Sequence, residues 1–152
     1  MRPFQACLSG AMTAVALFTL GCAPSSGGEG RFLTDTVSYF QTLSDQGMGV
    51  SQAMAGASNL ESVKGALLSA KSVEAVRYEK YFRGRAEGGI SSRVHDIADN
   101  ADEAHSLFQE AMGEFLMYWD DRNTAHISGG SGTLKRCIAL ANATVLKING
   151  RR

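Results

Sequence analysis

Few side chains in this chain are spaced for chemistry. Asp102 and His105 stand three residues apart, which on a helix puts a carboxylate and an imidazole on one face. That is half of the arrangement with which helical bundles hold two metal ions. The matching half is missing, because Ser92 lies three residues before His95 and Asn123 three before His126. The pair is therefore read as solvated helix face. No metal site is assigned, and Asp102 and His105 are the nearest approach to one. Asp96, Asp99, Glu103, Glu110 and Glu114 recur close to one stripe. A cation site is one use for them, but the outer face of an amphipathic helix is the reading taken. From Arg122 onward the charged residues are Arg122, Lys135, Arg136, Lys147, Arg151 and Arg152, with no acid among them. The acidic and basic sets are expected to face each other between neighbouring helices. Exposed pairs of that kind contribute about 0–1 kcal/mol each.

Nucleophilic catalysis has one candidate thiol, Cys137, three residues after Leu134 and so beside an apolar stripe. A buried free cysteine behaves as a small hydrophobe, and Cys137 is read that way. No Gly-x-Ser-x-Gly, phosphate-binding glycine loop or Cys-x-x-Cys-His is present. Ser128-Gly129-Gly130-Ser131-Gly132 could offer backbone amides to an anion, but it is read as a linker. Lys71 and Glu74 fall near the apolar side of their segment. Snorkelling explains them simply; a buried pair, or contact with a partner, is the alternative. No catalytic constellation emerges, so an enzyme is not expected, and no cofactor is implied.

The elements that would position these residues are helical. Apolar residues recur at spacings of three and four, and no run alternates as a strand would. The first segment runs from about 34 to 57, with Thr34 as N-cap and a bend expected near Gly47-Met48-Gly49. The second runs from about 60 to 83, with Gly84 as its C-cap. The third carries Ile90, Val94, Ile97, Ala101, Ala104, Phe108, Ala111 and Phe115 on one stripe. The fourth runs from Thr133, a second N-cap, to about Asn149. Residues 120–132 are read as the longest loop. Four such segments with short connections predict an all-α, antiparallel helical bundle.

The amino terminus has its own pattern. Arg2 is followed by an apolar run from Ala11 to Leu20, and then by Thr19-Leu20-Gly21-Cys22. The run is short of the roughly 20 residues a membrane span needs and has the charge and small-residue end of an export signal. It resembles the lipobox signal of bacterial lipoproteins, with Thr19 where Leu is more usual. The resemblance covers these residues alone. It implies removal of residues 1–21, acylation of Cys22 and attachment to a bacterial membrane. With Ala23 rather than Asp after the cysteine, it implies the periplasmic side of the outer membrane in a double-membraned cell. Residues 22–31 then form the lipidated cysteine and a Ser/Gly-rich tether, and 32–152 the bundle. Cys7 leaves with the signal and Cys22 is acylated, so Cys137 has no partner for an internal disulfide.

Charge and topology complete the expectation. The chain holds 15 basic and 15 acidic residues, which argues against a nucleic-acid partner. In an up-down bundle the tethered pole gathers Arg31, Tyr81, Phe82, Arg83, Arg85, Arg151 and Arg152. This basic and aromatic patch is expected to rest on anionic headgroups. The working surface is expected at the opposite pole, around 52–60 and 120–132. The leading reading is a non-enzymatic interaction or structural module of the cell envelope, with an envelope protein as partner. The alternative is a small-ligand or metal carrier using the bundle interior.

Overall fold

The computed structural model describes residues 28–56, 60–83 and 91–150. Helix α1 spans Gly28–Gly56, α2 Leu60–Tyr78, α3 His95–Asp121 and α4 Ala125–Gly150. A π-helical turn, Glu79–Arg83, extends α2, and a 3-10 turn, Ser92–Val94, leads into α3. The chain is an all-α bundle. Helix α1 packs against α2 and α4, α2 also packs against α3, and α3 runs along α4 in the most extensive pairing. Phe32 and Phe82 meet edge to face, which sets the start of α1 beside the end of the π turn. The Lys147 ammonium pairs with the Asp96 carboxylate, which sets the start of α3 beside the end of α4.

Several helix boundaries differ from the sequence expectation. Thr34 is not an N-cap. Its hydroxyl donates to the Gly30 carbonyl at 2.9 Å, one turn back inside a helix that already began at Gly28. Residues 28–31, read as tether, belong to that helix. Glu29 lies in its first turn, where the helix dipole favours an acid. No break occurs at Gly47. That position is buried, and a Cβ there would stand 3.0 Å from Ile138 Cδ1 and 3.3 Å from Leu134 Cδ1. The glycine lets α1 and α4 approach, and that packing offsets its poor helix propensity.

The predicted loop 120–132 is the largest correction. Helix α3 runs to Asp121, and Arg122 ends it in the left-handed region at φ 59° with its N–H on the Tyr118 carbonyl. The Ala125 N–H then donates to Asn123 Oδ1 at 3.0 Å, so Asn123 rather than Thr133 caps α4. Helix α4 therefore includes the whole Ser128–Gly132 run. Gly130 explains how. A Cβ there would stand 2.8 Å from the Phe115 ring and 3.1 Å from the Ala111 carbonyl oxygen. Glycine is what allows α4 to lie this close to α3, so tertiary contact overrides weak local propensity.

The third segment starts later than expected, at His95, after Ser91 accepts the Arg93 N–H at 3.3 Å. Its stripe is otherwise as the spacing predicts, with Ile97, Ala101, Ala104, Phe108, Ala111 and Phe115 all buried. Among the described residues no helix is long and apolar enough to cross a membrane.

Candidate functional site

Among the described residues Glu74 is the one charged side chain within the core, at 1 % exposure. It lies on the inward stripe of α2, one helical repeat past Leu67 and one turn before Tyr78. A carboxylate so placed is costly unless donors fill its lone pairs. Three side chains serve it. The Tyr39 hydroxyl of α1 donates to Oε1 at 2.5 Å. Gln109 Nε2 of α3 donates to Oε2 at 2.6 Å. His105 Nδ1, one turn before Gln109, lies 2.9 Å from Oε1 and 3.0 Å from Oε2. Gln109 also donates to the Lys71 carbonyl at 3.1 Å, tying the α2 backbone to α3.

A second layer holds the histidine. The Tyr78 ring stacks on the His105 ring, centroids 3.8 Å apart and planes within 10°. The Tyr78 hydroxyl donates to Asp102 Oδ1 at 2.6 Å. Burial first, then the Glu74 carboxylate beside it, hold the Tyr39 phenol well above the usual phenol range. Burial first, then the bond to Asp102, raise Tyr78 in the same direction. Both phenols are therefore protonated donors across the physiological range.

Asp102 and His105 are thus brought together through Tyr78, which bonds the one and stacks on the other, with Glu74 behind the imidazole. His105 is not on a solvated face; it is half-buried and turned to Glu74, while Asp102 is exposed. Glu74 is buried, as in the alternative reading of the Lys71–Glu74 pair, yet its partners are Tyr39, His105 and Gln109, not Lys71. A carboxylate behind Nδ1 fixes the imidazole so that Nε2 points away from Glu74, the order used to orient metal ligands and bases. Among the described residues no group of three His, Cys, Asp or Glu side chains could hold a metal ion.

Sequence reasoning missed Tyr39, Tyr78 and Gln109 as parts of one network. The signal available was the recurrence of polar residues on apolar stripes, Glu74 after Leu67 and Gln109 one turn after His105.

Cys137 is fully buried, and its thiol points at the Ala104 carbonyl at 3.3 Å. Burial, with the charge of Glu74, pushes it up to about 12. The core reading holds for it. At the other end of α3, His126 bridges two acids. Its Nδ1 lies 2.7 Å from Glu114 Oε2 and its Nε2 3.0 Å from Asp121 Oδ2. The remaining stripe acids Asp99, Glu103 and Glu110 are exposed, as expected of an outer face.

Of the tethered-pole patch, Arg31 is exposed and Tyr81 half-buried, with the Lys80 ammonium 5.6 Å from the Tyr81 ring centre. Phe82 is turned inward at 5 % exposure, against Phe32 and Tyr39, and so is not at the surface. Cys22, Arg85, Arg151, Arg152 and the Arg83 side chain lie outside the described residues. Comparison with protein-family models, with characterised proteins and with solved structures found no match.

Proposed function

We propose that this chain is a lipid-anchored helical module of the bacterial cell envelope that works by binding another protein rather than by catalysis. The observation that carries the binding part is the surface of α2. Leu68, Val73 and Val76 are 51 %, 38 % and 65 % exposed on it. Large apolar side chains grouped on one helix favour cover by a partner. The interior cluster supports the same reading from the other side. Glu74 is met by donors from its own fold, an arrangement that locks α1, α2 and α3 together. The anchor rests on the Thr19-Leu20-Gly21-Cys22 pattern, and several acyl chains, at about 0.8 kcal/mol per buried methylene, would hold the domain on the bilayer.

Metabolic labelling with a radioactive or alkyne-bearing palmitate tests the anchor. The protein should take up label and sediment with membranes, and Cys22→Ser should abolish both. Uptake of label without Cys22, or membrane association unchanged in Cys22→Ser, would refute it. A carrier of a small ligand or metal is the second reading, motivated by the His105 imidazole poised on Glu74 at the edge of the bundle. Purified protein that retains a stoichiometric metal or small molecule through gel filtration would favour it.

A further inference from the structure

His126 has both ring nitrogens on acids of α3, Nδ1 on Glu114 Oε2 at 2.7 Å and Nε2 on Asp121 Oδ2 at 3.0 Å. A neutral imidazole carries one N–H, so it can donate to one carboxylate and must turn a lone pair toward the other. Carboxyls that reach solvent are ionised at neutral pH, and Asp121 is held so by the Asn123 N–H and by His126. Both contacts are therefore attractive when the ring carries two protons. The upward shift of the ring, from Glu114 first and then Asp121, has the same sense.

Asp121 is shared between the ring and the turn. Its Oδ2 meets His126, and its Oδ1 accepts the Asn123 N–H at 2.8 Å. Arg122 stands between them at φ 59°, a left-handed backbone that a residue with a Cβ holds only where its neighbours impose it. The Asn123 side chain in turn caps α4 at the Ala125 N–H. The remaining charged groups of this region offer the ring no substitute. Glu110 and Asp120 are exposed on α3 and do not bond to it. The Arg122 guanidinium lies 5.9 Å from the Tyr118 ring centre. Helix α1, which also packs against α4, has no ionisable residue between Asp45 and its end at Gly56.

We infer that His126 is a proton-set clasp on the α3–α4 turn: the doubly protonated ring holds Glu114 and Asp121 together and keeps residues 121–125 shut, and loss of one proton to solvent lets them open. Glu114 makes the shorter contact, so the proton that remains stays on Nδ1 and the bare Nε2 lone pair faces Asp121. That oxygen is repelled, its carboxylate turns away, and the Asn123 N–H loses its acceptor with it. The opening is confined to the turn. Further along, α3 and α4 are joined by the close approach at Gly130, the Cys137–Ala104 contact and the Asn100–Thr144 bond, none of which involves the ring. The exposure of this end of the bundle therefore follows pH while the bundle itself stays folded.

Trypsin reads the opening, because Arg122 stands inside the turn and its bond to Asn123 must leave the folded backbone to be cut. The full-length protein is digested briefly at several values between about pH 6 and 8.5, the range in which histidine titrates. Cutting after Arg122 is scored by mass spectrometry and divided by the rate on a free peptide of residues 117–128, which removes the protease's own pH dependence. Expected is a rise of about threefold or more through the His126 titration, with cutting after Arg136 unchanged. His126→Gln should flatten the profile. Asp121→Asn should flatten it at the low rate, because its amide still accepts the Asn123 N–H and also donates to the neutral Nε2. That rescue is the readout a merely structural role for His126 would not give. A flat wild-type profile, a rise that persists in either variant, an Asp121→Asn profile flat at the high rate, or a parallel rise after Arg136 overturns the inference.

Discussion

Glu74 and His105 face each other across the α2–α3 interface, with Nδ1 2.9 Å from Oε1, and this contact holds the charged centre of the bundle in place. Tyr39 reaches the same oxygen from α1, so one carboxylate ties three helices. Glu74→Ala should therefore destabilise the domain by about 3–5 kcal/mol, because it strands the donors of Tyr39, His105 and Gln109 in the interior. Tyr39→Phe removes one donor and should cost about 1–3 kcal/mol. Urea unfolding of both variants measures this. A loss below about 1 kcal/mol for Glu74→Ala would mean that the site relaxes to admit water.

Two glycines near the start of α4 separate packing from propensity. Gly130→Ala drives a methyl group into the Phe115 ring and the Ala111 carbonyl, and should cost about 1–3 kcal/mol. At Gly132 an added Cβ would meet no atom within 4 Å, and the residue is exposed within a helix. Gly132→Ala should stabilise by up to ~1 kcal/mol. Opposite signs at positions two residues apart are the diagnostic result in thermal or urea unfolding, and equal signs would contradict the close α3–α4 approach.

These same residues mark where the sequence can be read and where it cannot. Ile97, Ala101, Ala104 and Phe108 repeat at helical spacing and are buried, because periodicity reports directly on which face leaves water. Residues 125–132 look like a linker by composition. They are helical because Gly130 lets α4 lie against Ala111 and Phe115, a contact that local propensity cannot contain. Asn123 and Thr133 are both acceptable N-caps by residue type, and only the turn geometry at Arg122 reveals which one the chain uses. The Glu74 network has a similar origin. Its members come from three helices, and Tyr39 is 35 residues from the carboxylate it bonds. A spacing rule within one helix can flag Glu74 as inward and His105 as near Asp102. It has no means of pairing them with Tyr39 or Tyr78.

His126 should titrate above the ordinary histidine range. Its largest favourable contact is Glu114, followed by Asp121, and together they outweigh the desolvation that opposes them. A raised folded value means that its contribution to stability is present below the unfolded histidine value and is lost as pH rises through the folded one. Asp121 is lowered, first by the Asn123 backbone N–H and then by His126. Its contribution has the other sign, being lost as pH falls through the folded value. The α3–α4 turn should therefore be held best in mildly acidic solution, between the two titrations. NMR titration of the His126 ring measures the midpoint, which should fall in Glu114→Gln. A midpoint at or below that of free histidine would contradict the bridge.

Cys137 offers a direct readout of how these interactions cooperate. The thiol is fully buried against α3 and is pushed up to about 12, so the native protein contains almost no thiolate at neutral pH and gives a reagent no access to it. Native protein should resist iodoacetamide at pH 8 and react once urea opens the bundle. If opening is fast compared with alkylation, the labelling rate reports the free energy of the opening that exposes the site. Gly130→Ala loosens the α3–α4 contact and should speed labelling in the absence of denaturant, whereas Gly132→Ala should slow it. Glu74→Ala should speed it further, because it removes the tie between α2 and α3 together with the charge that helps to raise the thiol. Rapid labelling of the native protein, at a rate indifferent to these three changes, would show that Cys137 is accessible without opening and that the α3–α4 interface does not shield it.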